Sequence, residues 1–287
     1  MRLRSVAVLS MTAAMFVGLT ACGASSSGIG LGNCAITSAK GSLGGFKLTS
    51  SGVLTVATNL PAPGYWNGKT TTDQKDGLEF CLAADIANRL GLSKVHVVNV
   101  DFAALQAGQV KGYDIALSQM TILPERQKVV DFSSPYFSSD QGLMVLKGTT
   151  AATLADVKKL KLGSQVGTTG LDYANTQIKP NSATQVFQDT ATMFNALLAK
   201  TVDGLIFDVA IVLPQTKVSG YENTAIIDQF KTGEGYGIVL PKGSPNLTKI
   251  NDLLKAQTDD GTLARYSNKY VQVDPAEVAR IPFITAP

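Results

Sequence analysis

Arg126 and Asp208 are the two ionisable residues whose positions in the sequence indicate a site for a small charged molecule. Arg126 follows shortly after an apolar run at 115–117, and its guanidinium presents paired N–H donors that suit a carboxylate. Asp208 ends a second apolar run at 204–207 and suits a cation. Three uncharged polar side chains lie between the first run and Arg126, namely Ser118, Gln119 and Thr121.

A third candidate is the Gly-Thr-Thr-Gly segment at 167–170, which follows an apolar run and precedes a helical pattern. Unpaired backbone N–H groups at the start of a helix bind anions, so we expect Thr168 and Thr169 to contact a negative group. An α-amino acid carries a carboxylate and an ammonium group on one carbon. The combination of Arg126, Asp208 and this segment fits such a zwitterion.

The elements that carry these residues follow from the alternation of apolar runs with helical patterns, which is typical of parallel sheets covered by helices. Ligands of open α/β sheets bind beyond the carboxyl ends of the strands. The pattern predicts two α/β units. Strands are predicted at 53–57, 94–100, 113–117, 142–147, 161–166, 183–187 and 204–207, with helices at 79–90, 102–107 and 191–199.

The first predicted strand is followed by Asn59 and then by two aromatic residues, Tyr65 and Trp66. By the same rule, their side chains are candidates for the site. The aromatic pair could instead only cover a loop. Arg126 could form a surface ion pair, Asp208 could cap the helix that starts after it, and the threonines at 168 and 169 could only terminate a helix.

The N-terminal segment predicts export. Residues 1–21 contain Arg2 and Arg4 followed by an apolar stretch, which is typical of a secretion signal, and the stretch is too short for a membrane-spanning helix. Its end, Leu-Thr-Ala-Cys, resembles the lipobox of bacterial lipoproteins, which implies that Cys22 is acylated and anchors the chain to a membrane. Residues 25–32 are predicted to form a flexible tether.

Composition limits the partners. Removal of Arg2 and Arg4 lowers the formal charge from +3 to +1, so nucleic acid is not expected as a partner. About 265 mature residues are enough for two compact domains. The glycines at 28–32 superficially suggest a phosphate loop, but no strand precedes them, and no cofactor is predicted. We expect a monomer.

The three cysteines predict one disulfide. If Cys22 carries the lipid, Cys34 and Cys81 remain as an even pair in an oxidising compartment. In the alternative interpretation, Cys81 is a free thiol that packs as a small apolar residue on its helix.

The chain resembles the extracellular solute-binding proteins of ABC importers, in the family that binds polar amino acids. The resemblance covers roughly residues 53–270. It rests on five motifs in the family's order: Gly-Leu-Glu at 77–79, Ser-Gln-Met-Thr-Ile-Leu-Pro-Glu-Arg at 118–126, Val-Asp-Phe-Ser-Ser-Pro-Tyr at 130–136, the segment at 167–170, and Val-Asp-Gly-Leu-Ile-Phe-Asp at 202–208.

This resemblance implies a role for each candidate residue. Arg126 would hold the ligand carboxylate, helped by the Thr121 hydroxyl and the backbone at Thr168 and Thr169. Asp208 would hold the ammonium group. By the same resemblance, Tyr65 or Trp66 would lie against the ligand side chain. Together with Gln119 and Asn59, this aromatic pair could suit a polar, acidic or amide group.

Two positions depart from the family pattern. Leu123 stands where many relatives carry a threonine that caps the following helix, and a leucine cannot act as a cap. Asn59 stands where relatives often carry an aspartate, which favours glutamate or glutamine over lysine or arginine as the ligand.

The resemblance further implies a two-lobed fold with two hinge strands, at 142–147 and 236–240. Residues 1–21 would be the signal peptide and 22–51 the lipidated cysteine and tether. Lobe 1 would comprise 52–145 and 239–287, and lobe 2 would comprise 146–238. The partners would be a permease and an ATPase at the extracytoplasmic face of the membrane.

Two other functions remain open at this point. Lyases and dehydratases occur on the same fold, but the single histidine, His96, lies in a strand pattern, and no zinc or nucleophile motif accompanies it. The other possibility is a lipoprotein that senses the ligand without transporting it.

Overall fold

The computed structural model describes residues 28–284 and contains one continuous mixed sheet of eight strands with helices on both sides. The predicted signal peptide and Cys22 lie outside the described residues. In spatial order the strands run β2-β1-β3-β8-β4-β7-β5-β6. Their bounds are β1 Leu54–Thr58, β2 Val95–Asn99, β3 Ile115–Ala116, β4 Val130–Leu146, β5 Leu162–Gln165, β6 Gln185–Phe187, β7 Gly204–Asp208 and β8 Thr224–Pro241.

The sheet has two halves, each built from parallel strands. In the first half, β1 pairs with β2 and β3, and in the second half, β5 pairs with β6 and β7. The helices are α1 Leu78–Arg89, α2 Phe102–Gln106, α3 Pro124–Gln127, α4 Leu154–Val157, α5 Thr169–Tyr173, α6 Thr190–Leu198, α7 Val209–Gln215, α8 Leu247–Asp259, α9 Thr262–Tyr266 and α10 Pro275–Val278, with π-helical turns at Ala174–Ile178 and Ser267–Val271. The predicted two-lobed α/β fold is confirmed.

Helix α1 is the central helix of the first half. It is buried along nearly its whole length, from Leu78 to Ala87, and packs in the core with strand residues such as Val56 and Val97. Gly77 precedes it with φ of 118°. A Cβ atom there would lie 2.3 Å from the carbonyl oxygen of Tyr65, so only glycine allows this entry into the helix.

The long strands β4 and β8 join the halves. They pair with each other in antiparallel fashion, and β8 also pairs with β3 while β4 pairs with β7. The β4 residues at 141–145 already face β7, so the predicted hinge strand at 142–147 lies inside the second half. The chain passes between the halves just before it, near 137–140 of β4 and 230–236 of β8, where the ladder changes register.

The C-terminal segment also differs from the predicted assignment to lobe 1. Ile284 packs in the core of the second half with Leu143 and Phe230. The backbone N–H of Gln229 donates to the Pro282 carbonyl oxygen at 2.8 Å, and the Ile284 N–H donates to the Gln229 carbonyl oxygen at 3.0 Å. Residues 282–284 therefore return to the second half after α8 and α9. Within the described part of the chain, no helix has the length and apolarity to cross a bilayer.

The predicted disulfide between Cys34 and Cys81 is present. Cys81 lies on α1, and Cys34 belongs to the segment that precedes β1. The bond therefore fastens this N-terminal segment to the core of the first half. The alternative of a free, packed Cys81 is wrong.

Replacing both Cys34 and Cys81 by serine should lower the free energy of unfolding by about 2–4 kcal/mol, because the bond closes a loop of 47 residues in the unfolded chain. Urea unfolding measures this loss. The parent in reducing agent should lose a similar amount, whereas the double variant should be insensitive to the reductant. Equal midpoints for the oxidised parent and the variant would contradict the expectation.

Candidate ligand-binding site

A cavity lies between the two halves of the sheet, at the carboxyl ends of their parallel strands. Its walls contain eight of the nine residues predicted for the site, and Trp66 is the exception. The eight are Asn59, Tyr65, Gln119, Thr121, Arg126, Thr168, Thr169 and Asp208. Residues separated by up to 149 positions in the chain thus meet in one cavity, as the rule for open α/β sheets predicts.

Arg126 is a buried cation on the wall of the first half. It sits on the short helix α3, which starts at Pro124 without a side-chain cap from Leu123. Its side chain donates to the carbonyl oxygens of Thr121 and Gly167, both at 2.9 Å, and its guanidinium lies 5.7 Å from the centre of the Phe102 ring.

No carboxylate of residues 28–284 lies within 4 Å of the Arg126 guanidinium nitrogens. The surface ion pair considered as an alternative is therefore not formed. Burial lowers the pKa of Arg126, although the negative charge of Asp208 opposes this effect. A buried guanidinium without a counter-ion is costly, and it favours an anion in the cavity.

Asp208 is a buried acid on the wall of the second half. It precedes α7, but its side chain makes no capping hydrogen bond to that helix. The capping role considered as an alternative is therefore not formed. Its carboxylate accepts hydrogen bonds from the Gln141 amide and the Tyr236 hydroxyl. Burial, followed by the negative charge of Glu234, raises its pKa to about 7.

The two threonines of the 167–170 segment differ in their contacts. The Thr168 hydroxyl donates to the Gln165 carbonyl oxygen at 2.7 Å and accepts from the Leu171 N–H at 3.2 Å, so it caps α5. The Thr169 hydroxyl donates to Glu234 at 2.6 Å. Thr168 therefore has a structural role as well as its place in the cavity wall.

The two adjacent aromatic residues have different surroundings. Tyr65 lines the cavity, and its hydroxyl donates to the Ala210 carbonyl oxygen of the second half at 3.2 Å. Trp66 points into the core, where its indole N–H donates to Glu79 at 2.8 Å and its ring contacts Phe80. The prediction that Trp66 could contact a ligand is corrected, because the side chain is enclosed by the first half.

Gln119 is held in place by Glu79. Its backbone has a φ of 48°, in the left-handed region, and its backbone N–H and side-chain amide both donate to the Glu79 carboxylate, at 2.8 and 2.5 Å. Burial raises the pKa of Glu79 to about 7. The Gln119 amide is thus turned towards the core, and Glu79 fixes an unusual backbone conformation at the cavity wall.

Asn59 lines the cavity and links the two halves. Its side-chain nitrogen donates to the Val100 carbonyl oxygen at 2.8 Å, and its oxygen accepts from Gln165 at 3.1 Å. Gln165 is the last residue of β5 and was not predicted for the site. The predicted strand at 161–166 placed Gln165 inside the strand and not after it, so the rule of strand ends did not select it.

Several other residues of the wall were also missed. Most are apolar or lie on helices that the rule of strand ends does not cover. They are Phe102, Thr190, Phe194, Phe207, Ile211 and Gln215, together with the prolines and alanine at 61–63.

A family model matches residues 54–273, and its description is "Bacterial extracellular solute-binding proteins, family 3". Among curated proteins, the chain is 29% identical to the ABC transporter glutamine-binding protein GlnH of Bacillus subtilis, over 95% of this chain and 98% of that protein. It is 32% identical to the ABC transporter arginine-binding protein 1 of Escherichia coli, over 55% of this chain and 66% of that protein.

Solved structures with the same fold include an ancestral arginine-binding protein bound to glutamine, at 32% identity and a TM-score of 0.70, covering 77% of this chain and 98% of that one. Another is an ancestral amino acid-binding protein described as a precursor of cyclohexadienyl dehydratase, at 28% identity and a TM-score of 0.69, covering 77% of this chain and 96% of that one.

Proposed function

Because the chain belongs to family 3 of the bacterial extracellular solute-binding proteins, we propose that it binds a polar amino acid between its two lobes and delivers it to the permease of an ABC importer. The relatives named above support the ligand class, since they are named for glutamine and arginine. Another, TcyJ of Escherichia coli, is named for cystine. All of them are binding proteins.

One observation carries this proposal. Two buried groups of opposite charge, Arg126 and Asp208, line the same cavity, and neither has a counter-ion within 4 Å among residues 28–284. The carboxylate of an amino acid would neutralise Arg126, and its ammonium group would neutralise Asp208. Charge-assisted hydrogen bonds contribute about 1.5–3 kcal/mol each, so four or five support micromolar affinity after the cost of association.

Closure of the lobes explains how binding is signalled. Arg126 belongs to the first half and Asp208 to the second, and side chains already bridge the halves, from Arg126 to Gly167 and from Asn59 to Gln165. A zwitterion makes its full set of contacts only when both walls are close. Binding therefore selects the closed form, which the permease would recognise.

The N-terminal sequence and the family support a proposal for the location of the protein. We propose that residues 1–21 are removed, that Cys22 is acylated, and that residues 25–32 tether a monomer to the extracytoplasmic face of the membrane. The tether would keep the closed form near the permease and its ATPase. Mass spectrometry of the membrane fraction should find two or three acyl chains on Cys22, and an unmodified N-terminus would contradict this.

An enzymatic role has less support. The only histidine, His96, lies on β2, pairs in register with Thr55 and is absent from the cavity wall. The ancestral neighbour described as a precursor of a dehydratase is itself an amino acid-binding protein. Incubation with each amino acid, followed by chromatography, should return the compound unchanged.

The affinity should fall as the pH is lowered through about 7. The ammonium group would bind ionised Asp208, whose pKa is raised by burial to about 7, and protonation competes with the ligand. We expect a loss of about fivefold from pH 7 to 6 and of about tenfold from pH 6 to 5. Titration calorimetry measures this, with thermal unfolding at each pH as the control. A constant affinity from pH 5 to 8 would contradict the assignment.

The experiment that tests the proposed function is calorimetric titration of the mature protein with the twenty standard amino acids. We expect one or a few polar amino acids to bind with micromolar or tighter dissociation constants. Small-angle scattering should show a smaller radius of gyration when that amino acid is bound. The absence of binding by all twenty would contradict the proposal, and binding without a decrease in radius would contradict the closure step.

A further inference from the structure

Glu234 lies on β8 where the chain passes between the halves, and it contacts both of them. One oxygen of its carboxylate, Oε2, accepts from the Thr121 hydroxyl at 2.7 Å and from the Thr169 hydroxyl at 2.6 Å. The other, Oε1, accepts from the Gln141 amide at 3.2 Å. Thr121 belongs to the first half and Thr169 starts α5 of the second half. The Glu234 carboxylate therefore connects the two walls of the cavity through one hydrogen bond to a threonine of each wall.

The direction of these hydrogen bonds follows from the chemistry of the groups. An ionised carboxylate has no proton to donate, and a threonine hydroxyl has a single one. Both threonines line the cavity, whereas Glu234 lines a separate depression together with Asp140 and Lys231. With their protons directed back to Glu234, the two hydroxyl oxygens can only accept hydrogen bonds from a molecule in the cavity.

Acceptors are in excess in this corner of the cavity. The Gln141 amide nitrogen has two N–H groups, yet it lies within hydrogen-bond distance of Asp208, Thr169 and Glu234. The Tyr236 hydroxyl donates to Asp208, and the Thr121 and Thr169 hydroxyls donate to Glu234. The oxygens of the two carboxylates and the two threonine hydroxyls can thus accept more hydrogen bonds than these donors supply. An ammonium group has three N–H donors and would fill some of the remaining acceptor positions.

We propose that Glu234 is a positioning residue that makes the Thr121 and Thr169 hydroxyls acceptors and so makes the cavity selective for ligands with an α-ammonium group. This inference rests on the proposed function, in which Asp208 binds that group. It also revises one expectation from the family resemblance. The Thr121 hydroxyl would not assist Arg126 in holding the carboxylate, because its proton is already donated to Glu234.

The test compares two probes on the parent and on Glu234→Gln. The first probe is the amino acid that the parent binds most tightly among the twenty, and the second is the same molecule with hydrogen in place of the α-ammonium group. Glutamine keeps the size of the side chain, but its amide donates to one threonine and releases that hydroxyl proton towards the cavity. The affinity for the amino acid should fall about tenfold or more, while the affinity for the second probe should stay equal or rise.

The ratio of the two affinities separates positioning from a purely structural bridge. If Glu234 only held the halves together, both probes would lose affinity by the same factor, and that result would overturn the inference. The matched control is Glu222→Gln, whose parent carboxylate is exposed and accepts from the Gly220 N–H, and it should leave the ratio unchanged.

If Glu234→Gln does not fold, a second variant tests the same inference. Thr121→Val removes one acceptor and leaves Glu234 in place, and it should also reduce discrimination between the two probes. Unchanged discrimination in this variant would count against the inference. If the parent binds none of the twenty amino acids, the proposed function fails, and this inference fails with it. If the parent binds one and Glu234→Gln keeps the parental ratio, the inference alone fails.

Discussion

Replacement of Arg126 by methionine should lower the affinity for the bound amino acid by at least about a hundredfold. In the proposed site, the guanidinium offers paired N–H donors to the ligand carboxylate, and each charge-assisted hydrogen bond contributes about 1.5–3 kcal/mol. Methionine fills much of the same space without any donor. Titration calorimetry at pH 8 measures the loss, because Asp208 is then mostly ionised.

The matched control for this change is Arg280→Met, since Arg280 is exposed and outside the cavity wall. It should bind as the parent does. The fold of Arg126→Met should survive, because the substitution removes a buried cation that has no counter-ion in the described part of the chain. Binding by Arg126→Met within threefold of the parent would show that the carboxylate is held elsewhere.

Replacement of Asp208 by asparagine should have two opposite effects. Binding should weaken by about a hundredfold or more, because asparagine cannot neutralise the ammonium group. The ligand-free protein should become more stable at pH 8, by about 1–3 kcal/mol, since ionisation of a buried acid is unfavourable. The ionised form of Asp208 thus increases ligand affinity and lowers the stability of the ligand-free protein, a trade-off that is common where a binding site contains buried charge.

The stability difference between Asp208→Asn and the parent should depend on pH, because the pKa of Asp208 differs between the folded and the unfolded protein. Burial raises the pKa of Asp208 to about 7 from its usual 3.8. Its protonated form is therefore compatible with folding, and the parent loses stability as the pH rises from about 4 through 7. The difference between the variant and the parent should be small at pH 4 and full at pH 8.

Urea unfolding of the ligand-free proteins at pH 4, 6 and 8 measures this trend. Asp252→Asn is the matched control, because Asp252 is exposed on α8, and it should show no such trend. A variant that is less stable than the parent at pH 8 would contradict the view that Asp208 is held ionised against its surroundings.

Many helices and strands could be predicted because the spacing of apolar residues within a short segment indicates its secondary structure. Helix α1 has apolar residues spaced three or four apart and ends near Gly91, so its predicted bounds differ from the observed Leu78–Arg89 by one residue. Strand β4 could not be predicted in full. Its 17 residues alternate between buried and exposed irregularly from 130 to 141, and its extended form depends on pairing with β8, about 100 residues later.

The site could be predicted where a residue follows an apolar strand, as Arg126 and Asp208 do. Trp66 was misplaced because the turn before α1 directs neighbouring side chains to opposite sides, and no pattern in the sequence reveals which one faces the cavity. Glu234 was missed for another reason. Its importance arises from hydrogen bonds to Thr121 and Thr169, which are 113 and 65 residues away in the chain.

We propose that Arg126 and Asp208 together hold the two charged groups of one amino acid. The most direct measurement is calorimetric titration of the parent and of Arg126→Met with that amino acid and with the corresponding amine, which lacks the carboxylate. We expect the parent to prefer the amino acid by about a hundredfold or more, and Arg126→Met to bind both compounds with similar, weak affinity. An equally strong preference in Arg126→Met would contradict the account, because the carboxylate would then be recognised by another part of the protein.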